Sequence, residues 1–335
     1  MQTAKASTPD MRRGRLRWQT VCAFAAGLFC AHAPGHAQVY PAKPIRIIVP
    51  FAPGGGTDFI GRIVAAKLGE TLGQQVIIDN RPGASGNIGA EAGIKAPADG
   101  YTLTLVSGGY TINAVMTALR FDPIADISAV VLLDKGPFLV VVHPSLPVSN
   151  ARELIALARA RPNAINYASS GQGSILHLAT ELMLSMTGTR MLNIPYKGTG
   201  PALTDTIAGQ THVLFGSITA ALPQARSGRL RAIAVTSAQR VAAESGIPTL
   251  AESGVPGYDV NNWHGLLAPR GMPRLAVERI NQEVVRIMQD RDMEEKLRTE
   301  GVAPAAGTPE AFLEQMKNEI QTWRAVVAKA GIKSE

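Results

Sequence analysis

Apolar residues along this chain alternate between two rhythms. Short β-branched runs give way to stretches where apolar positions recur every three or four residues, and glycine-rich turns lie between them. Residues 43–50 (KPIRIIVP) predict a strand that ends at a proline. Residues 57–72 then place Phe59, Ile60, Ile63, Val64 and Leu68 on one helical face. Residues 75–79 (QVIID) read as a strand, 85–95 as a helix and 101–106 (YTLTLV) as a third strand. Strand–helix–strand–helix–strand with short connections predicts a parallel sheet covered by helices.

A second series of the same construction begins at the strand 138–143 (FLVVVH). It continues with a helix over 151–160 capped by Ser149, a strand at 166–168, a helix over 174–186, and a strand at 191–194. A helix over 201–208 and strands at 212–215 and 230–235 complete it. Residues 248–262, rich in Gly, Pro and Asn, read as a connection. Helices close the chain. One starts at Pro273 with Leu275, Val277, Ile280, Val284 and Ile287 on a face. Another is capped by Thr308-Pro309 and buries Phe312, Leu313, Met316, Ile320 and Trp323.

The glycines cluster where strands hand over to helices: residues 52–58 (APGGGTD), 80–87 (NRPGASGN), 169–174 (SSGQGS) and 196–201 (YKGTGP). Without a Cβ, glycine admits a ligand to the backbone. The first N–H groups of a helix have no internal partner, and the dipole there is positive, so such turns suit anions. Thr57, Ser170, Ser174 and Thr199 add hydroxyls at the same ends. In parallel α/β sheets these turns gather beyond the carboxyl ends of the strands. Two per half predict two mouths facing across a cleft.

Composition sharpens this picture at the N-terminus. Arg12, Arg13, Arg15 and Arg17 precede a short apolar run, 21–33, and Gly35-His36-Ala37 supplies small residues for cleavage. Residues 1–37 are therefore expected to be a signal peptide, with an exported mature chain starting at Gln38. Arg15 breaks the twin-arginine pattern, and neither Cys22 nor Cys30 follows a small residue as a lipoprotein cysteine would. Removing the leader takes both cysteines and lowers the net charge from +7 to +3. The basic balance is mostly a targeting feature, so nucleic-acid binding loses its compositional support. No run reaches the roughly 18–20 apolar residues of a membrane span.

Competing chemistries fit poorly. No glycine is followed by Lys-Ser or Lys-Thr in a P-loop frame, and Phe59 stands where a dinucleotide fingerprint from Gly54 needs its third glycine. Ser174 and His177 lie one helical turn apart, but no G-x-S-x-G elbow surrounds Ser174. His177 and Glu181 have metal-ligand spacing without a further histidine to complete a site. Asp58 suits either a ligand amine or the first helical turn, and Trp263 suits packing. No catalytic residue, metal or cofactor is expected.

Five blocks carry a family resemblance: PIRIIVPFAPGGGTDFIGR (44–62), NRPGASGNIGA (80–90), YASSGQGSILHLATEL (167–182), NIPYKGTGPALTDTIAGQ (193–210) and NNWHGLLAPRGMP (261–273). Together they resemble the substrate-binding proteins of tripartite tricarboxylate transporters, called Bug receptors in bordetellae. The resemblance implies an α/β, two-lobed Venus-flytrap fold of the periplasmic-binding-protein type, with lobe 1 at 38–140 plus 257–335 and lobe 2 at 141–256. It implies a small carboxylate ligand held by loop amides and hydroxyls. Carried over by position, the contacts are Ala52, Gly54, Gly55, Gly56, Thr57 and Asp58 on one side, and Ser170, Gly171, Gly173, Ser174, His177, Tyr196 and Lys197 on the other. Ser107, in the stretch 107–111, and Ser217 would face the variable end of the ligand. The expected partners are integral-membrane permease subunits, and the protein is expected to be a monomer. The alternatives are a ligand-loaded sensor for a signalling system and a secreted hydrolase using Ser174 and His177.

Overall fold

The structure, a computed structural model, describes residues 1–5 and 40–330. The expected leader and its cleavage after Ala37 fall on residues 6–39, outside the described residues.

The first strand, β1 (Ile45–Val49), runs parallel to β2 (Val76–Asn80) and β3 (Thr102–Ser107). Helix α1 (Gly56–Leu72) lies between β1 and β2, and α2 (Asn87–Ile94) between β2 and β3. Ile45, Ile47, Ile48 and Val49 of β1 are fully buried, and Ile60, Val64 and Leu68 of α1 pack into the same core. Gly73 ends α1 in the left-handed conformation, φ 63°, which glycine adopts without a Cβ penalty. Helix α3 (Gly109–Met116) follows β3 directly.

The second series is built alike. Strand β5 (Asn166–Ser169) pairs in parallel with β6 (Leu192–Pro195) and β7 (Val213–Ser217). Around them lie α4 (Ala151–Ala160), α5 (Ile175–Thr187), α6 (Thr199–Ile207) and α7 (Ile218–Arg226). The cap of α4 is Asn150 rather than Ser149: its side chain accepts from the Glu153 N–H at 3.0 Å.

Two long antiparallel strands join the halves. Strand β4 (Ile127–Val142) pairs with β9 (Asn261–Pro269) along its first part, then with β7 and β8 (Arg231–Val235) along its second. Strand β9 also lies against β3. The short β10 (Ala303–Pro304) edges β4. The hydrogen-bonded path β2-β1-β3-β9-β4-β7-β5-β6 is thus continuous, with β4 shared by a first and a second parallel set.

Helices α8 (Arg274–Met288), α9 (Arg291–Thr299) and α10 (Pro309–Ala330) complete the fold. Thr308 Oγ1 accepts from the Ala311 N–H at 3.2 Å, as its position before Pro309 predicts. Pro273 is the cap of α8 rather than its first residue, and Leu275 is 80% exposed, with Ala276 taking the buried position. Phe312 and Met316 of α10 join Trp263, Val106, Tyr110 and Leu132 in one buried cluster. Trp263 packs edge-on against Phe312, and its indole N–H donates to Glu319 Oε2 at 2.7 Å. Burial pushes the Glu319 carboxyl up, against hydrogen bonds from Trp263, Thr111 and Trp323 that pull it down. Among the described residues no helix is long and apolar enough to cross a membrane.

Candidate functional site

Parallel strands place every strand-to-helix turn of a series at the same sheet edge. Here the turns of both series meet over one cavity. Gly55, Gly56 and Thr57 enter it from the start of α1, and Ser107 from the turn into α3. Ser170, Ile175 and Leu176 enter from the start of α5, Thr199 from α6 and Ser217 from α7. Phe51, Phe138 and Asn262 complete the wall, and no Asp, Glu, Lys, Arg or His lines it. Five helix starts and five hydroxyls therefore surround a space without a counter-charge.

Side chains leave most of the helix starts there uncapped. Glycine occupies the cap of α1, α3 and α6, and no side chain caps those helices or α7. At α5, Ser174 Oγ accepts only from the His177 N–H, at 3.4 Å. Unpaired N–H groups and the positive ends of helix dipoles favour a carboxylate without needing a cation.

The turn at residues 80–87 behaves differently. Its Gly86 and Ile88 N–H groups donate to Gly83 O, and the Asn87 N–H to Ala84 O. Three amides at this turn are thus bonded to carbonyls of the turn itself. Its contribution is steric and cross-cleft: Ser85 Oγ donates to Gln172 O at 2.5 Å. Ala52 N donates to Lys197 O at 3.2 Å on the same rim. A Cβ on Gly200 would fall 2.2 Å from Pro53 O, and one on Gly56 only 1.9 Å from Ser217 Oγ. Turns of the first and second parallel sets are in direct contact, as in a closed cleft.

The residues expected at the site divide into groups. Gly55, Gly56, Thr57, Ser107, Ser170 and Ser217 line the inner cavity. Ser170, Gly171, Tyr196 and Lys197 line an open outer compartment with residues 83–87. Tyr196 donates its hydroxyl to Asp205 Oδ2 at 2.7 Å; burial and that carboxylate push it up to about 12. Ala52 and Gly54 lie on the outer side of the rim, beside Gly200.

Asp58, Gly173, Ser174 and His177 line none of these spaces. Asp58 is buried behind its loop, accepting from Gly54 N at 3.1 Å, Arg62 Nε at 2.9 Å and Asn80 Nδ2 at 3.0 Å. Burial raises its carboxyl, but the bonds from Arg62, Asn80 and Gly54 outweigh that and hold it below the ordinary range. It fixes Gly54 at φ +85°, a left-handed conformation that suits glycine. His177 Nδ1 accepts from Gly173 N at 3.1 Å, and Ser174 Oγ bonds the His177 backbone rather than its ring. Ser174 and His177 together hold the start of α5 and the turn before it.

Sequence reasoning missed Phe51, Phe138, Ile175, Leu176 and Asn262. Phe51 precedes the first glycine turn directly, which is the one local signal available. Asn262 is set by tertiary contacts: its Oδ1 accepts from Gly108 N at 3.2 Å, and its Nδ2 lies 3.4 Å from His264 Nε2. The buried His264 Nδ1 is 2.9 Å from Asp134 Oδ1 on the adjoining strand. Both bonds are satisfied when Nδ1–H donates to Asp134 and Nε2 accepts from Asn262. Among the described residues no cluster of His, Cys, Asp and Glu is fit to hold a metal.

Known proteins resemble this chain in sequence and fold. Residues 60–332 match the model of the tripartite tricarboxylate transporter family receptor. The chain is 36% identical to protein BugT of Bordetella pertussis over 314 residues, covering 92% of this chain and 96% of BugT. It superposes on R. palustris Rpa4515, solved with adipate, with a TM-score of 0.85 at 38% identity, covering 88% of this chain and 99% of the other. For MatC of Rhodopseudomonas palustris with bound malate the TM-score is 0.81 at 30% identity, covering 86% and 100%. This chain, with its two-lobed α/β fold, belongs to the tripartite tricarboxylate transporter receptor family.

Proposed function

We propose that this protein is a periplasmic solute receptor that closes on a small organic carboxylate and hands it to a tripartite tricarboxylate-type permease. The observation that carries this is the convergence of five helix starts on one cavity without a charged side chain. Such a cavity binds an anion through oriented N–H dipoles and hydroxyls, and releases it without breaking a buried ion pair. Two structural relatives were solved with small carboxylates, adipate and malate.

Residues 38–140 with 257–335 act as one lobe and 141–256 as the other, hinged where β4 and β9 run side by side. The ligand contacts are Gly55, Gly56, Thr57, Ser107, Ser170 and Ser217, joined by Thr199 and Asn262. Ala52, Gly54, Gly171, Tyr196 and Lys197 form the rim, while Asp58, Gly173, Ser174 and His177 hold the turns in shape. The ligand binds the closed form better than the open one and so shifts their populations. The receptor works as a monomer and performs no chemistry, and its leader ends at Ala37.

Calorimetry across mono- and dicarboxylates, acidic amino acids and aromatic acids tests this. Saturable binding of at least one carboxylate, with no turnover, is expected. Absence of binding throughout the panel would overturn it.

A further inference from the structure

A second compartment opens beside the anion cavity and shares Phe51 and Ser107 with it. Its walls are mainly apolar, with Phe51, Ala90, Val106 and Tyr110 among them. The Tyr110 hydroxyl is already committed, donating to Pro123 O at 2.8 Å. At the compartment's wall stands Asn113, 4% exposed. Its Nδ2 donates to Ser85 O at 3.0 Å and to Asn87 Oδ1 at 2.7 Å. A backbone carbonyl only accepts, so the bond to Ser85 fixes which way the amide faces. Asn113 Oδ1 is left buried with no donor among the described residues.

No charged side chain lining this compartment favours a second negative charge. No Lys, Arg or His lines it. Of the two helix starts beside it, that of α2 has its Gly86, Asn87 and Ile88 N–H groups bonded to Gly83 and Ala84 carbonyls, and that of α3 is shared with the anion cavity. A carboxylate placed there would lose its hydration and lie beside the unpaired Asn113 oxygen, with the Ser107 hydroxyl and the Asn87 amide as its side-chain donors. A neutral hydroxyl or carboxamide would pair that oxygen and keep its carbon chain against Phe51 and Val106. An unmatched buried polar group discriminates strongly between a ligand that pairs it and one that does not.

The geometry points to Asn113 as the specificity-determining residue for the far end of the ligand, selecting a monocarboxylate with a neutral hydrogen-bond donor over a dicarboxylate. This rests on the anion cavity holding the ligand's carboxylate. Calorimetry with two matched series tests it: hexanoate, 6-hydroxyhexanoate and adipate, and butyrate, 4-hydroxybutyrate and succinate. In at least one series the hydroxy acid is expected to bind at least tenfold tighter than both its unsubstituted and its dicarboxylate counterparts. In Asn113→Ala that advantage over the unsubstituted acid should fall below threefold, while the unsubstituted acid itself changes by less than threefold. A dicarboxylate binding as tightly as its hydroxy acid in both wild-type series overturns the subsite and leaves the anion cavity standing. So does a hydroxy-acid advantage that survives Asn113→Ala. Failure of every carboxylate in the wider panel overturns the anion cavity and the subsite with it. The wild-type comparison decides the matter even if Asn113→Ala does not fold.

Discussion

Replacing Gly56 by alanine should separate closure from folding. Gly56 opens α1 on the first parallel set, and Ser217 ends β7 on the second. A Cβ on Gly56 would lie 1.9 Å from Ser217 Oγ, 2.6 Å from Ser217 Cβ and 2.7 Å from Thr219 Oγ1. Rotating the serine hydroxyl away does not relieve the contact with its Cβ. Carbon atoms pack at about 3.5–4.0 Å, so the two walls must part by about an ångström. Overpacking of this kind costs about 1–3 kcal/mol, and here the cost falls on the closed form alone. Ligand affinity should therefore drop by about 5–150-fold. In the open form the methyl group is free of the clash, and alanine is a better helix former than glycine by about 1 kcal/mol. The ligand-free melting temperature should hold or rise. Calorimetry with the tightest-binding carboxylate, together with melts with and without it, reads both effects. Adding Ser217→Gly removes two of the three close contacts and should recover part of the affinity. Affinity within twofold of wild type would refute the wedge. So would a collapse of ligand-free stability, which would make Gly56 an ordinary packing position.

Three further substitutions follow from the geometry. Asp58→Asn should lower the melting temperature at neutral pH, because a buried carboxylate with three donors loses charge-assisted bonds of about 1.5–3 kcal/mol each. The Asp58 carboxyl is held low in the fold, so its contribution is present above the unfolded value of about 3.9 and lost as pH falls through the folded one. The gap between variant and wild type should close in that acid range, as melts across pH will report. Trp263→Phe removes the 2.7 Å donor to Glu319, whose carboxyl burial holds high. Its destabilisation should be small while Glu319 is protonated and grow as pH rises through the raised folded value; a gap independent of pH would assign the loss to packing alone. Ser85→Ala removes the bond to Gln172 across the rim. A net hydrogen bond is worth about 0.5–1.5 kcal/mol, so stopped-flow release should quicken by about 2–10-fold with the on-rate unchanged.

Much of this architecture is legible in the chain because local physics writes it there. The β-branched run of β1, the one-sided apolar spacing of α1 and the Thr308-Pro309 start of α10 each follow from residues within a few positions. So does the use of glycine before α1 and α6, since a turn into a helix that presents bare amides needs no side chain there. What escapes is long-range. The apolar run of β4 is broken by Asp134-Lys135-Gly136-Pro137, so only its second part reads as a strand, and pairing with β9 holds the rest extended. The turn at 80–87 resembles the other glycine-rich turns in composition, yet its amides bond Gly83 and Ala84, a matter of backbone angles that composition does not carry. The capping bonds of Ser174 and His177 at the start of α5 likewise depend on backbone angles that composition does not carry. By itself the sequence determined the alternation of elements, the gathering of helix starts at one sheet edge and the lack of catalytic or nucleotide patterns. Only the tertiary structure decided which amides remain free, and that Asn262 and Asn113 reach the cavities. Both depend on partners brought together from distant parts of the chain.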